Sequence, residues 1–372
     1  MSLSGLGQQS PCASGPNILR QLPGPITPLE RGAWRLLIPF AMTSNSDGTF
    51  DSDRAIHSAT ISVIDRLMLA RPADLDEVSL EPFFDAASPC HLYFIARRPR
   101  ISIDPSGCSF NASAVRYRFR VHTDPPSMLE VEAPVGKLQL PAQLKALSPY
   151  TTFEIHGADG RVAGPVPACL AIQCLVKHPQ DALDLELLYI GQAFGKEGER
   201  TPVNRLVSHS TLQQILAKTL ADSPDTDVLV VFAGLEPPST VTHLMPVSVG
   251  ESALDEQLQS MIRANTTPLT LQQRVNFTEA ALIRYFQPLY NETFKGNFPD
   301  PLHISYRECY DLDLSGIVVE LDSTGINLRF WSRAQSPQLR HTATFDLHEP
   351  SVRRSMFDFT GIFDDRAPPS HE

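Results

Sequence analysis

The chain has 372 residues, of which 42% are hydrophobic and 20% charged, and this composition excludes a disordered or fibrous protein. Its length suits two or three domains of ordinary size. The formal net charge of −11 argues against binding of nucleic acid through a broadly basic surface, so any site for a polyanion must be local.

The cysteines and the N-terminus give no sign of a zinc site or of a secretory signal. The six cysteines are scattered without a CxxC pair, so we expect reduced, mostly buried thiols. Met1 is followed by polar and small residues rather than by a basic start and an apolar run. The longest apolar stretch, Val228–Ala233, is far too short to span a bilayer. We therefore expect no membrane association and a cytoplasmic location.

The region before residue 166 is predicted to be rich in strands. Residues 1–30 hold Gly, Pro, Ser and Gln in a mixture typical of a flexible tail. Residues 31–165 are predicted to form a β-rich recognition domain with one embedded helix, Asp53–Leu69. The predicted strands of this domain are Arg35–Phe40, His91–Ala96, Arg100–Ile103, Ala114–His122, Leu129–Ala133 and Thr152–His156.

The pattern changes in residues 166–300, where strands alternate with helices. Three apolar runs, Cys169–Val176, Leu183–Ile190 and Val228–Ala233, predict a small central sheet flanked by helices. The predicted helices begin at Thr201-Pro202 and at Ser210, cover about Glu251–Ala264, and run from about Thr278 to Gln287 before Pro288.

Residues 301–372 return to predicted strands, at Gly316–Asp322, Asn327–Ser332 and Ala343–Leu347. These strands either complete the sheet of the first domain or form a small third unit. The expected fold class for the whole chain is therefore α+β.

Three segments of the middle region carry residue types suited to phosphodiester hydrolysis. They are Leu188–Gln192 (LYIGQ), Asn204–His209 (NRLVSH) and Glu279–Asn291 (EAALIRYFQPLYN). Hydrolysis of a phosphodiester needs cations aimed at the phosphate and an activated water, because negative charge increases in the transition state. Arg205 and His209 have the spacing of one helix face. Glu279 offers the hard carboxylate oxygen that Mg²⁺ binds while keeping several waters.

In this order, the three segments resemble the GIY-YIG nuclease family over residues 168–298. The resemblance implies that Glu279 holds one Mg²⁺ or Mn²⁺ and that Arg205 stabilises the phosphate. It also implies that Tyr189 and His209 assist proton transfer and that Asn291 belongs to the same site. The fold implied for residues 166–300 is a small GIY-YIG-like domain with a central sheet and flanking helices.

One motif of the family is missing. The Gly-Ile-Tyr sequence expected on the preceding strand is absent from Cys169–Val176, so a second tyrosine for proton transfer is not located. Lys196, in the connection after the Tyr-Ile-Gly strand, is a candidate replacement as a phosphate contact.

Each of these residues also has an ordinary structural explanation. Tyr189 suits a half-buried strand, and Arg205 and His209 suit a solvated helix face. Glu279 suits the first turn of a helix, where a carboxylate offsets the helix dipole. Asn291 suits a turn after a proline.

A basic stripe is predicted in the β-rich region. Arg116, Arg118 and Arg120 alternate with apolar residues in the predicted strand Ala114–His122, so their side chains share one face. This face is either simply solvated or follows the phosphates of a bound nucleic acid.

The function expected from these observations is a metal-dependent endonuclease acting on nucleic acid, with DNA as the expected substrate. Bacterial restriction or antiphage defence is the setting implied by the resemblance. The first alternative is a catalytically silent GIY-YIG-like module that binds a partner protein or nucleic acid. The second is an unrelated β-rich binding protein.

Overall fold

A computed structural model describes most of the chain between residues 55 and 347. The described residues are 55–76, 80, 83–85, 88–135, 140–193, 203, 206, 209–237, 239–245, 251–266, 269–296, 298–299, 309, 312 and 314–347. The expected tail 1–30, the strand Arg35–Phe40 and the helix start at Thr201-Pro202 lie outside this part.

The described residues form fifteen strands and four α-helices, which confirms the mixed character expected of an α+β protein. The strands are β1 Ala55–Ala70, β2 Leu92–Pro99, β3 Ile101–Ile103, β4 Ser109–Phe110, β5 Ala114–Val121, β6 Ser127–Pro134, β7 Gln143–Ala146, β8 Thr152–His156, β9 Val162–Pro167, β10 Leu185–Gln192, β11 Thr226–Leu235, β12 Ser239–Met245, β13 Gly316–Asp322, β14 Phe330–Trp331 and β15 Arg340–Asp346. The helices are α1 Ala168–Leu175, α2 Ser210–Asp222, α3 Glu251–Thr266 and α4 Leu271–Phe286. Over these residues, no helix combines the length and the apolar character needed to cross a bilayer.

The described residues divide into two compact units. Residues 101–175 form the insert unit, and residues 55–100 together with 176–347 form the main unit. In chain order, the insert unit falls between β2 and β10, which are adjacent antiparallel strands of the main unit. The main unit is therefore assembled from segments far apart in the sequence.

The main unit is built on an eight-stranded sheet. Its described strands follow the order β14-β10-β2-β11-β1-β13-β15, and β12 pairs with the first half of β1. The pairs β10–β2, β2–β11 and β11–β1 are antiparallel, whereas β13 runs parallel to β1. The predicted strands Leu183–Ile190 and Val228–Ala233 thus become β10 and β11, and both pair with β2.

The helix predicted at Asp53–Leu69 is wrong, because this segment forms β1. Ser58, Thr60, Ser62 and Ile64 are buried at every second position, which is the period of a strand. Strand β1 pairs with β11, β12 and β13, so it lies in the interior of the sheet. The apolar residues of β1 also fit the spacing of a helix, but hydrogen bonding to neighbouring strands on both edges of β1 favours the extended conformation.

The strand predicted at Cys169–Val176 is also wrong. The segment forms α1, in which Ala168, Ala171, Ile172 and Leu175 are buried at the three- and four-residue spacing of a helix face. Helix α1 belongs to the insert unit, whereas β10 and β11 belong to the main unit. The predicted three-stranded sheet therefore does not form, and β2 occupies the place beside β10 that Cys169–Val176 was expected to take.

The insert unit contains two small sheets and α1. One sheet has the order β3-β5-β4 with β6 also on β5, and the other has the order β7-β8-β9. Val115, Tyr117 and Phe119 of β5 are buried, and the rings of Tyr117 and Phe119 pack near Phe153 of β8. The alternation predicted for this strand is thus confirmed on its apolar side.

Two helices of the main unit flank the β10–β2–β11 part of its sheet. Leu212 and Ile215 of α2 pack in one core cluster with Tyr93, Ile95 and Phe232. Helix α4 packs against β10, β13 and β15. These contacts hold both helices beside the strand that contains the Tyr-Ile-Gly sequence.

Helix α4 begins at Leu271 rather than near Thr278, because Thr270 and Gln273 form a reciprocal capping box. It ends at Phe286, and Gln287 adopts a left-handed conformation before Pro288. The predicted end is therefore confirmed, and the predicted start is wrong. Helix α3 agrees closely with the acidic helix predicted from Glu251.

A buried histidine next to β2 predicts a pH dependence of stability. Burial lowers the pKa of His91 from 6.5 to about 4, and the charges of Arg274 and Arg66 act in the same direction. The His91 Nδ1 atom accepts a hydrogen bond of 2.9 Å from the Leu235 backbone N–H, which protonation would break. The unfolded chain therefore binds this proton more readily, and stability present above pH 6.5 is lost as the pH falls towards about 4.

We expect the free energy of unfolding to fall by up to roughly 3 kcal/mol between pH 7 and pH 4 through this residue. Urea unfolding at a series of pH values measures the loss. A His91→Gln variant keeps an acceptor for Leu235 but has no titrating group, so its stability should depend less on pH in this window. Equal pH dependence of the wild type and the variant would contradict the prediction.

Candidate functional site

The last four residues of β10, Tyr189 to Gln192, contact most of the described site residues; we call them the β10 end. The Tyr189 ring lies 5.4 Å from the His209 ring and 6.0 Å from the Tyr93 ring, measured between centroids. Tyr93 and His209 are 6.1 Å apart by the same measure. Two phenol rings and one imidazole ring thus pack together as one cluster.

Tyr93 was not assigned to the site from the sequence. It lies on β2 directly opposite Gly191, and a Cβ atom at Gly191 would be only 2.6 Å from the Tyr93 hydroxyl oxygen. Because Gly191 has no side chain, the Tyr93 ring can lie directly over the backbone of β10 at this position. The signal in the sequence was a tyrosine in the predicted strand His91–Ala96, but nothing in the sequence pairs this strand with β10.

His209 occupies the N-cap position of α2 in an extended conformation, so the prediction that it shares a helix face with Arg205 is wrong at His209. Its side chain makes no capping hydrogen bond, and the imidazole lies against the two tyrosine rings instead. Arg205 and Lys196 lie outside the described residues, so their places in the site stay predictions.

Glu279 lies near the middle of α4 and not in the first turn, so the helix-dipole explanation of this carboxylate does not apply. Its Oε2 atom accepts a hydrogen bond of 2.7 Å from the Nε2 atom of Gln192, the final residue of β10. The same nitrogen donates to Oδ1 of Asn276 at 2.9 Å. Glu279 is therefore attached to the β10 end through an amide that the sequence had not assigned to the site.

Asn291 acts on the backbone of β10. Its Oδ1 atom accepts from the Ile190 N–H at 3.0 Å, and its Nδ2 atom donates to the Ile190 carbonyl at 2.8 Å. The neighbouring Tyr290 N–H donates to the Leu188 carbonyl at 3.0 Å. The Asn291 amide thus pairs the N–H and the carbonyl of Ile190, as a neighbouring strand would, and these bonds help to hold the β10 end in place.

One carboxylate, that of Glu279, lies near the β10 end, where the resemblance implies a divalent cation. Over the described residues, no three His, Cys, Asp or Glu side chains come together as a metal cluster. Mg²⁺ and Mn²⁺ are hard ions, and Mg²⁺ in particular often binds proteins through one or two carboxylates while retaining water. Glu279, which accepts a hydrogen bond from Gln192, supplies one such carboxylate.

The basic stripe lies on an exposed face of the insert unit, but two of its three charges are compensated across the sheet. Arg116 contacts Glu132 at 2.8 Å, and Arg118 contacts Glu130 at 2.8 Å. Arg120 is paired in register with Met128. The strand β6 therefore supplies acidic partners that the sequence prediction had not considered, and Arg120 differs from the other two arginines in its cross-strand neighbour.

Known proteins give no further guide to this site. Comparisons of the chain with models of protein families, with curated proteins and with solved structures found no match. The arrangement of the residues around the β10 end is therefore the basis for a functional proposal.

Proposed function

We propose that the main unit is a metal-dependent phosphodiesterase that cleaves nucleic acid, with DNA as the expected substrate. The observation that carries this proposal is the set of contacts made by the β10 end. Tyr189 is grouped with Tyr93 and His209, while Gln192 holds the carboxylate of Glu279. Tyr189 and Gln192 are three residues apart on the strand, so the groups for proton transfer and the carboxylate approach the end of β10 from opposite faces. Both kinds of group are components of phosphodiester hydrolysis.

The order of the strands departs from the resemblance to GIY-YIG nucleases, because Cys169–Leu175 lies in α1 of the insert unit, and the proposal therefore needs the resemblance in a revised form. The family places a tyrosine on the strand that precedes the Tyr-Ile-Gly strand, and β2 precedes β10, pairs with it and contains Tyr93. We infer that β2 takes the role first assigned to Cys169–Val176. The insert unit then separates the two tyrosine-bearing strands in the sequence.

The proposed reaction is attack of water on phosphorus with departure of one ester oxygen. The neutral imidazole of His209, or Tyr189 after ionisation to the phenolate, accepts the proton of the attacking water, and the departing oxygen takes up a proton from solvent. Arg205 is assigned to the negative charge that increases on the phosphate oxygens. When bound, a divalent cation at Glu279 would neutralise phosphate charge and favour ionisation of water.

A second candidate is a catalytically silent module that binds a partner protein or nucleic acid. The observations that favour it are the net charge of −11 and the pairing of Arg116 and Arg118 with glutamates. Both reduce the positive potential available to attract a polyanion.

Restriction or antiphage defence in bacteria is the setting we propose for the nuclease, from the resemblance alone.

Incubation of the full chain with supercoiled plasmid and with single-stranded DNA and RNA tests the proposal. Reactions contain Mg²⁺, Mn²⁺ or a chelator. We expect nicked or linear DNA in the presence of either metal and intact DNA with the chelator. Absence of cleavage with every substrate and metal would make the silent binding module the better explanation.

The basic stripe provides a separate prediction about binding. If Arg116, Arg118 and Arg120 bind phosphates, replacing all three by Gln should weaken binding to unrelated sequences equally. The plot of log K against log salt concentration has a negative slope, and this slope should become less steep by up to about 0.9 for each phosphate of duplex DNA that is no longer neutralised. Fluorescence anisotropy at several salt concentrations measures this slope. An unchanged slope would assign the stripe to an ordinary solvated face.

A further inference from the structure

The side chain of Gln192 joins β10 to two residues of α4. Its Nε2 atom donates to Glu279 Oε2 at 2.7 Å and to Asn276 Oδ1 at 2.9 Å. An amide nitrogen has two protons, so these two bonds use its full capacity as a donor. Asn276 and Glu279 are three residues apart and therefore lie on the same face of the helix.

A second glutamine supports the same network from another direction. Gln272, one turn earlier on α4, donates from Nε2 to Asn276 Oδ1 at 2.8 Å. Gln272 therefore orients Asn276, whereas Gln192 donates both to Asn276 and to the carboxylate of Glu279. Replacing Gln272 therefore disturbs only the contacts of Asn276, whereas replacing Gln192 also removes the hydrogen bond to the Glu279 carboxylate.

We propose that Gln192 is a positioning residue that orients the Glu279 carboxylate for a divalent cation. The inference rests on the proposed function, which assigns the cation to Glu279. A glutamate side chain has three rotatable bonds, and a donor attached to a strand restricts the rotamers from which it can choose. Partners that orient a metal ligand in this way commonly contribute about 10–100-fold to metal affinity.

The test measures the affinity of the full chain for Mn²⁺ alone, by electron paramagnetic resonance of the free ion. Gln192→Met removes both donors while preserving length and volume, and it should weaken Mn²⁺ binding by about 10-fold or more. Gln272→Met is the matched control, because it removes the second donor to Asn276 and leaves the bond from Gln192 to Glu279 in place. The control should retain the affinity of the wild type, and both variants should keep its melting temperature to within a few degrees.

A second variant covers the case in which Gln192→Met does not fold. Gln192→Asn keeps the amide but is one methylene shorter, so it cannot span both acceptors and should weaken Mn²⁺ binding similarly. Affinity within threefold of the wild type for a folded Gln192 variant would overturn the proposal. Equal weakening by Gln272→Met would also overturn it, because the effect would then come from the order of the helix.

The outcome for Gln192 is distinguishable from failure of the proposed function. Mn²⁺ binding that is lost in Glu279→Gln, in a chain that cleaves no nucleic acid, would reject the nuclease and leave the positioning role to be decided by the affinities. Mn²⁺ binding that persists in Glu279→Gln would reject the metal assignment, and the positioning role with it.

Discussion

Replacement of Glu279 by Gln is expected to reduce nucleic-acid cleavage by about 100-fold or more, because it removes the charge that would hold the divalent cation. The amide preserves the shape of the side chain, and its carbonyl oxygen can still accept the hydrogen bond from Gln192. Initial rates of plasmid nicking in Mg²⁺ and in Mn²⁺ measure the loss. Glu292→Gln, at an exposed carboxylate shortly after α4, is the matched control and should cleave at the rate of the wild type.

The same substitution should affect stability little. Glu279 is partly exposed and lies away from the helix terminus, so its charge has no strong interaction with the helix dipole. The amide still accepts the hydrogen bond from Gln192, so a change of about 1 kcal/mol or less in the free energy of unfolding is expected. Cleavage by Glu279→Gln at the rate of an active wild type would show that the metal assignment is wrong.

Replacement of Asn291 by Ala, unlike that of Glu279 by Gln, should cause a large loss of stability. Asn291 is only 6% exposed, and its amide satisfies both the N–H and the carbonyl of Ile190. Truncation leaves these two backbone groups without their partners, at a cost of about 1–3 kcal/mol for each. Urea unfolding measures the loss, and Glu292→Ala at the next, exposed position should be close to neutral.

Cleavage by the Asn291→Ala variant should fall together with the population of the folded state, since Asn291 holds the strand that carries Tyr189. Lower temperature or a stabilising osmolyte should therefore restore part of the activity. An Asn291→Ala protein that is as stable as the wild type and still inactive would assign Asn291 a direct role in the chemistry instead.

Several elements were predictable because their local pattern agrees with their surroundings. Thr152–His156 and Gly316–Asp322 are strands with the predicted bounds, and α4 ends where Pro288 requires. The prediction failed at β1 and α1. In β1, pairing on both edges overrides an apolar spacing that also fits a helix, whereas in α1 an apolar run resembles a buried strand.

At the candidate site, too, some features were predictable from the sequence and others were not. Residue types and spacing selected Tyr189, His209, Glu279 and Asn291, and the structure places all four at the β10 end. Their contacts were not predictable, however, because Asn291 bonds to the backbone of Ile190 and Glu279 lies near the middle of α4. Local sequence identifies a chemical group but not the atoms that it will contact.

The sequence by itself determined the α+β composition, the strands with clear alternation and the order of the residues that could perform phosphodiester chemistry. Only the tertiary structure brought Tyr93 beside Tyr189 and Gln192 beside Glu279. The physical reason is that strand pairing and helix docking join residues far apart in the chain. Between Tyr93 and Tyr189 lies the whole insert unit, and no local propensity specifies which strand will hydrogen-bond to β10 across that distance.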